Sequence, residues 1–148
     1  MRPFVFAVAF AAGLAAVSPA GAKPMHDPVR MEAAVHAYVA AFDAGSADQV
    51  AELYAENATV EDPIGSPIHE GREAIRTFYA QSMKTGAKLR LDGPVRIAGD
   101  YAVFPFSVHL TMGDKKMTID VIDTFRFNTD GKIIEMRAFW GPANMTTK

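Results

Sequence analysis

From Ala102 to Met112 every even-numbered residue is apolar: Ala102, Phe104, Phe106, Val108, Leu110 and Met112. The intervening positions include Ser107, His109 and Thr111. After Gly113-Asp114-Lys115 the alternation resumes through Met117, Ile119, Val121, Asp123, Phe125 and Phe127. Successive side chains on a strand point to opposite faces, so these runs read as long strands with one buried face each, joined by a hairpin turn. A fold built on this hairpin has to cover a long apolar surface, and the rest of the chain is read for what supplies the cover. Pro105, inside the first run, predicts an edge position or a bulge. Asn128-Thr-Asp-Gly131 is a second hairpin turn, after which Ile134, Met136, Ala138 and Trp140 line a last strand. Lys88 to Ile97 holds strand material on both sides of Gly93-Pro94, and Gly99-Asp100 is a turn.

The first half supplies the cover as helices. Asp27-Pro28 reads as an N-cap followed by Pro at the first helical position. Met31, Val35, Tyr38 and Phe42 then recur at helical spacing and mark one buried face, and Gly45 is a C-terminal stop. Ser46 to Gln49 fits a capping box, which predicts a second short helix to about Tyr54. Ala58 to Asp62 is a short strand candidate, ended by Pro63. A third helix is expected over about Arg72 to Met83, with Ile75, Phe78 and Tyr79 facing inward. Helices followed by antiparallel strands give an α+β fold.

The start, MRPFVFAVAFAAGLAAVSPAGAKP, has a positive residue, an apolar stretch, and Ala20-Gly21-Ala22 as a small-residue cleavage site. It reads as a secretory signal peptide over residues 1–22, leaving residues 23–148 as one domain, exported and periplasmic in a Gram-negative cell. An uncleaved anchor is the alternative, but the apolar run is short for a span, and no membrane association is expected once the signal is removed. The chain has 148 residues and no cysteine, which excludes disulfides, thiol nucleophiles and cysteine metal sites. Its 15 basic and 17 acidic residues, without a basic run, argue against nucleic acid as a partner. No histidine pair has metal-ligand spacing, so no metal site is expected.

Asp123 breaks the pattern most sharply. Its neighbours on the same strand face are Ile119, Val121, Phe125 and Phe127. A carboxyl placed there must find a cation or keep its proton, and Arg126 points to the other face. Asp123 is therefore a register break, a salt-bridge partner or a functional acid. Asp62 shares a face with Val60 and can enter a cavity at a strand end, although Asp-Pro is also an ordinary turn starter. Tyr38 lies on a buried helix stripe. Its hydroxyl needs a partner there, which a backbone carbonyl would supply equally well. With Tyr54 and Tyr79, also read as inward helix positions, it makes a phenol group more polar than a simple core needs.

These residues carry a resemblance. Tyr38 to Gly45 (YVAAFDAG), Ala58 to Ser66 (ATVEDPIGS), Ala74 to Ala80 (AIRTFYA), Ile122 to Asn128 (IDTFRFN) and Met136 to Gly141 (MRAFWG) look like bacterial ketosteroid isomerase, a steroid Δ5-isomerase of the nuclear transport factor 2-like, or SnoaL-like, superfamily. The likeness spans the chain after residue 22. It implies a cone-shaped fold, in which a curved mixed or antiparallel sheet wraps around three N-terminal helices, and a homodimer packed through the sheet's outer face. By the same resemblance Asp62 matches the general base, and Tyr38 and Asp123 match the two oxyanion-hole donors. Tyr54 and Tyr79 match a phenol network behind Tyr38, and Trp140 an apolar position of the steroid pocket. Phe104, Phe106, Val108 and Met136 are further candidates for its lining. The N-terminal segment departs from the family, whose members begin near the first helix; this bears on location and natural substrate more than on chemistry.

The implied reaction moves the 5,6 double bond of a 3-oxo steroid to the 4,5 position through a dienolate. It calls for no metal or organic cofactor. Competing readings are a non-catalytic exported steroid- or polyketide-binding protein, or a cyclase, dehydratase or epoxide hydrolase of the same fold. Two carboxyls in an apolar cavity argue against storage of a neutral ligand. The other enzymes often place His or Arg in the cavity, and no histidine here is well placed for that.

Overall fold

A computed structural model describes residues 26–148; the expected signal segment lies outside them. Three helices come first: α1 (Pro28–Asp43), α2 (Ala47–Glu52) and, after an excursion into strand, α3 (Arg72–Met83). Their starts follow the sequence signals. The Asp27 side chain accepts the Val29 N–H at 3.0 Å, and Ser46 Oγ accepts the Gln49 N–H at 3.3 Å. Each bond satisfies a donor that a helix N-terminus leaves free.

The strands are β1 (Tyr54–Glu61), β2 (His69–Glu70), β3 (Lys88–Leu91), β4 (Arg96–Ala98), β5 (Tyr101–Met112), β6 (Lys115–Phe127), β7 (Ile133–Phe139) and β8 (Met145–Thr147). They form a curved, unclosed sheet in the order β2-β1-β7-β6-β5-β3, with β4 also on β5 and β8 also on β6. β1 and β7 run parallel and the other pairs antiparallel, so the sheet is mixed. The β5–β6 hairpin is its spine, paired without interruption from Tyr101↔Arg126 to Met112↔Lys115. The helices cover its apolar face. Met31, Val35, Tyr38 and Phe42 of α1 and Ile75 and Tyr79 of α3 join Phe104, Phe106, Val121 and Phe125 in one core. The expected α+β architecture is therefore present.

Several local expectations change. Tyr54 begins β1 instead of ending α2, so it reaches the core from a strand. Pro105 is neither at an edge nor at a bulge: its pairing to Ile122 is regular. It sits on the other side of β5 at the gap between β3 and β4, where its missing N–H breaks no ladder, while its carbonyl accepts the Asp92 N–H at 3.0 Å. In β7 the register shifts beside Arg126/Phe127, so the buried residue is Ile133 and not Ile134. The far end of β5 leaves the core, and Met112 is exposed.

Candidate active site

Asp123 sits in mid-sheet, paired with Phe104 on β5 and Ala138 on β7. It is fully buried, and neither carboxyl oxygen has a hydrogen-bond partner. The pairing is regular, which removes the register-break reading, and no ion pair to Asp123 occurs among the described residues. Arg126, on the opposite face, binds Asp100 at 2.9 Å instead. Burial drives the Asp123 carboxyl well above the usual range, and the nearby Asp62 carboxylate adds to the shift. Burial without a cation or a hydrogen-bond partner thus favours the neutral form of Asp123, the form that has a proton to donate.

Asp62 follows the last residue of β1. Its place is set by Ile64, whose N–H donates to the Ala138 carbonyl at 2.9 Å. Ala138 is also the β7 partner of Asp123. The two carboxyls therefore flank Ala138, about 10 Å apart at the backbone by two strand spacings. Trp140 Nε1–H donates to Asp62 Oδ1 at 2.7 Å. Burial raises the Asp62 pKa; the Trp140 hydrogen bond and the nearby His69 oppose that rise. Unlike Asp123, it has a donor that supports its charged form.

Tyr38 projects from α1 into the same region. Its ring stands edge-on to Phe125 at 5.2 Å and to Tyr79 at 5.8 Å. Burial above all, then the proximity of Asp123, Tyr54 and Asp62, holds its phenol well above the ordinary value. Tyr54 and Tyr79 share a hydrogen bond of 2.7 Å between their hydroxyls, and burial raises both. The phenol cluster anticipated from the sequence is assembled, although one member arrives from a strand.

A cavity of about 280 Å³ lies between the helices and the inner face of the sheet. Tyr38, Asp62, Tyr79, Phe106, Val108 and Trp140 are on its wall. Its size is near the lower end of small-molecule sites, roughly 300 Å³. Phe104 and Met136, expected in its lining, do not reach it: they are buried in the packed core, as is Tyr54, whose hydroxyl meets Tyr79 behind the wall. Asp123 is fully buried and is not on the cavity wall; it lies near Tyr38 and Asp62, which are.

Two features escaped the sequence reading. Trp140 donates to Asp62 and is more than lining; a buried indole N–H seeking an acceptor was the available hint. His69 pairs through β2 with Val60 and stacks on Phe78 at 4.5 Å. Nothing in the linear pattern placed it near Asp62.

Comparison with known proteins identifies the family and the scaffold. The profile of the SnoaL-like domain matches residues 35–136. The chain is 40% identical over 116 residues to the steroid Delta-isomerase of Nocardioides simplex, covering 78% of this chain and 93% of that one. Among solved structures, it superposes with a TM-score of 0.77 on the epoxide hydrolase/cyclase-like enzyme SalBIII of pyran ring formation in the polyether salinomycin. That match has 26% identity and covers 82% of this chain and 98% of SalBIII. A half-buried carboxylate and a phenol thus line one apolar cavity, with a fully buried carboxyl near both, and the chain belongs to the SnoaL-like domain family, as a relative of steroid Delta-isomerase.

Proposed function

We propose that this protein is a steroid Δ5-isomerase, converting a 3-oxo-Δ5-steroid to its conjugated Δ4 isomer. The observation that carries the reading is Asp123, wholly buried and without a hydrogen-bond partner, beside Tyr38 and Asp62. An acid in that state lacks an acceptor, and the reaction supplies one in the dienolate oxygen.

Asp62, as carboxylate, removes a proton from C4. The electron pair moves into the ring and negative charge collects on the C3 oxygen. Tyr38 O–H and the protonated Asp123 donate to that oxygen, and Asp62 returns the proton at C6. One Asp base with a Tyr and a protonated Asp as donors is the known arrangement of ketosteroid isomerase. Each preorganised donor is typically worth ~10²–10³-fold in rate, and a positioned base ~10²–10⁴-fold. The Trp140 hydrogen bond favours the charged form of Asp62 against the rise that burial imposes. Phe106, Val108 and Trp140 suit the hydrocarbon of a steroid nucleus.

The deciding assay mixes purified protein with 5-androstene-3,17-dione and follows the conjugated-enone absorbance. Rising absorbance is expected; none would favour the binding-protein reading.

Export and self-association belong to the same proposal. The pattern of residues 1–22 supports secretion to the periplasm, checked by N-terminal sequencing of the mature protein, expected to begin at Lys23. The outer sheet face pairs Ile122 with Phe139, both about half exposed. This apolar patch supports a homodimer through that face, to be read from the mass in solution.

A further inference from the structure

The polar groups on the cavity wall fall into two sets. Tyr38, Asp62, Tyr79 and Trp140 belong to the reacting end, and Ser82 and Thr85 stand apart from them. The inner face of β5 sets the direction between the two. Phe104 pairs with Asp123, and the wall then proceeds through Phe106 and Val108 to Leu110. Phe106 to Leu110 is four residues, roughly 13 Å at strand rise, comparable to the length of a four-ring nucleus. Ser82 is one helical turn beyond Tyr79, and Thr85 follows the end of α3. The chain then enters β3 through Ala87. Lys88 pairs with His109, which brings Ala87, another wall residue, beside Leu110. A steroid held by its C3 oxygen at Tyr38 therefore turns its C17 end toward Ser82 and Thr85.

The protons at this end are committed. Ser82 Oγ donates to the Phe78 carbonyl at 3.1 Å, and Thr85 Oγ1 donates to the Ser82 carbonyl at 2.7 Å. A carbonyl oxygen has no proton, so the direction of both bonds is fixed. The backbone N–H groups are taken as well. Those of Lys84, Thr85 and Gly86 close the end of α3 on the carbonyls of Gln81, Ser82 and Met83, and that of Ala87 goes to Thr85 Oγ1 at 3.3 Å. No Lys, Arg, His, Asn or Gln is among the described residues of the wall. What this end has left is lone pairs on two hydroxyl oxygens, and the C-terminal end of a helix adds partial negative charge beside them. It accepts hydrogen bonds and has none to give.

We propose that Ser82 and Thr85 are specificity-determining residues that accept a hydrogen bond from a C17 hydroxyl, so that the substrates are 3-oxo-Δ5-steroids carrying a 17β-hydroxyl in preference to a 17-ketone. A ketone brings only lone pairs to a place that already presents lone pairs, and its oxygen is left unpaired there. The hydroxyl donates without disturbing either bond at the helix end. This contact is remote from C4 and C6 and is the same in ground and transition states, so it acts on binding and not on the chemical step. The assignment deepens the isomerase reading and rests on it for the placement of the ligand.

The test uses the Δ4 products as stable ligands and so does not depend on turnover. Calorimetry compares 17β-hydroxy-4-androsten-3-one, its 17β-methyl ether and 4-androstene-3,17-dione. The alcohol is expected to bind about fivefold tighter than the ketone, ~1 kcal/mol for one neutral hydrogen bond. The ether keeps the oxygen but has no proton, and is expected to bind no tighter than the ketone. In Ser82→Ala/Thr85→Val the alcohol-to-ketone ratio falls toward one, whereas a loss of packing alone would weaken both ligands and leave the ratio standing. A thermal melt establishes that the variant is folded. If it is not, Ser82→Ala alone, which keeps the Thr85 bond to the residue 82 carbonyl, should at least halve the ratio. Equal affinities for alcohol and ketone in the unmodified protein, or a ratio that survives the substitutions, overturn the assignment. The isomerase reading is judged separately, by the enone absorbance with the Δ5 forms of the alcohol and the ketone. Turnover of both with equal affinities sinks only the C17 assignment. Turnover of neither sinks the isomerase reading, and the calorimetric ratio still decides the C17 end.

Discussion

Replacing Asp123 with Asn tests the state of this acid through stability, independently of any substrate. In the unfolded chain an Asp ionises near ~3.9. In the folded protein burial holds Asp123 well above that value, with Asp62 adding to the shift. Between the two values the native state keeps a proton that the unfolded state has released. Stability therefore falls as pH rises through that window, and its full contribution is present only below the unfolded value. The slope is about 1.4 kcal/mol per pH unit for one proton. Asn carries no such proton, so the stability of Asp123→Asn lacks this slope. Asp62 is also shifted upward, but it is present in both proteins and largely cancels in the difference. Urea unfolding at stepped pH is the assay. The Asn variant is expected to gain on the unmodified protein by about 1.4 kcal/mol per unit above pH ~4, until Asp123 itself titrates and the gap levels off. A gap that stays constant with pH would mean that Asp123 ionises as an ordinary carboxyl, and the donor role would fall with it. In turnover Asp123→Asn is expected to be milder than Asp123→Leu, because an amide still donates; Leu removes one donor and costs ~10²–10³-fold.

Asp62→Asn removes the base, and the enone assay is expected to show a loss of at least ~10²–10⁴-fold; near-normal turnover would exclude Asp62 from proton transfer. Tyr38→Phe keeps the edge-on ring contacts but deletes the hydroxyl, so kcat should drop ~10²–10³-fold while the thermal melt changes little. In Trp140→Phe the Asp62 carboxylate loses its donor and its pKa rises further. The acid limb of the kcat/KM profile then moves to higher pH, and an unmoved limb would show that the 2.7 Å contact does not tune the base.

The architecture was readable because a strand face and a helix face each leave a period in the sequence. Ala102 to Met112 and Met117 to Phe127 announced the central hairpin, and Asp27 and Ser46 announced two helix starts. Asp123 was legible for the same reason, as a carboxyl in an apolar register. What failed depended on neighbours distant in the chain. Pro105 is tolerated because β3 hands over to β4 beside it, and Tyr54 changes element because β1 adds to the sheet beside β7. Short strands such as His69–Glu70 and Met145–Thr147 are too brief to show a period. The Trp140–Asp62 bond joins residues 78 apart, a separation at which no local rule operates.

That bond also gives the protein a built-in optical reporter. The chain contains one tryptophan, and its indole both touches the Asp62 carboxylate and faces the cavity. Its emission should respond to protonation of that carboxylate and to occupancy by a steroid, with no second indole to blur the signal. Binding, base ionisation and catalytic turnover can then be followed on the unlabelled enzyme.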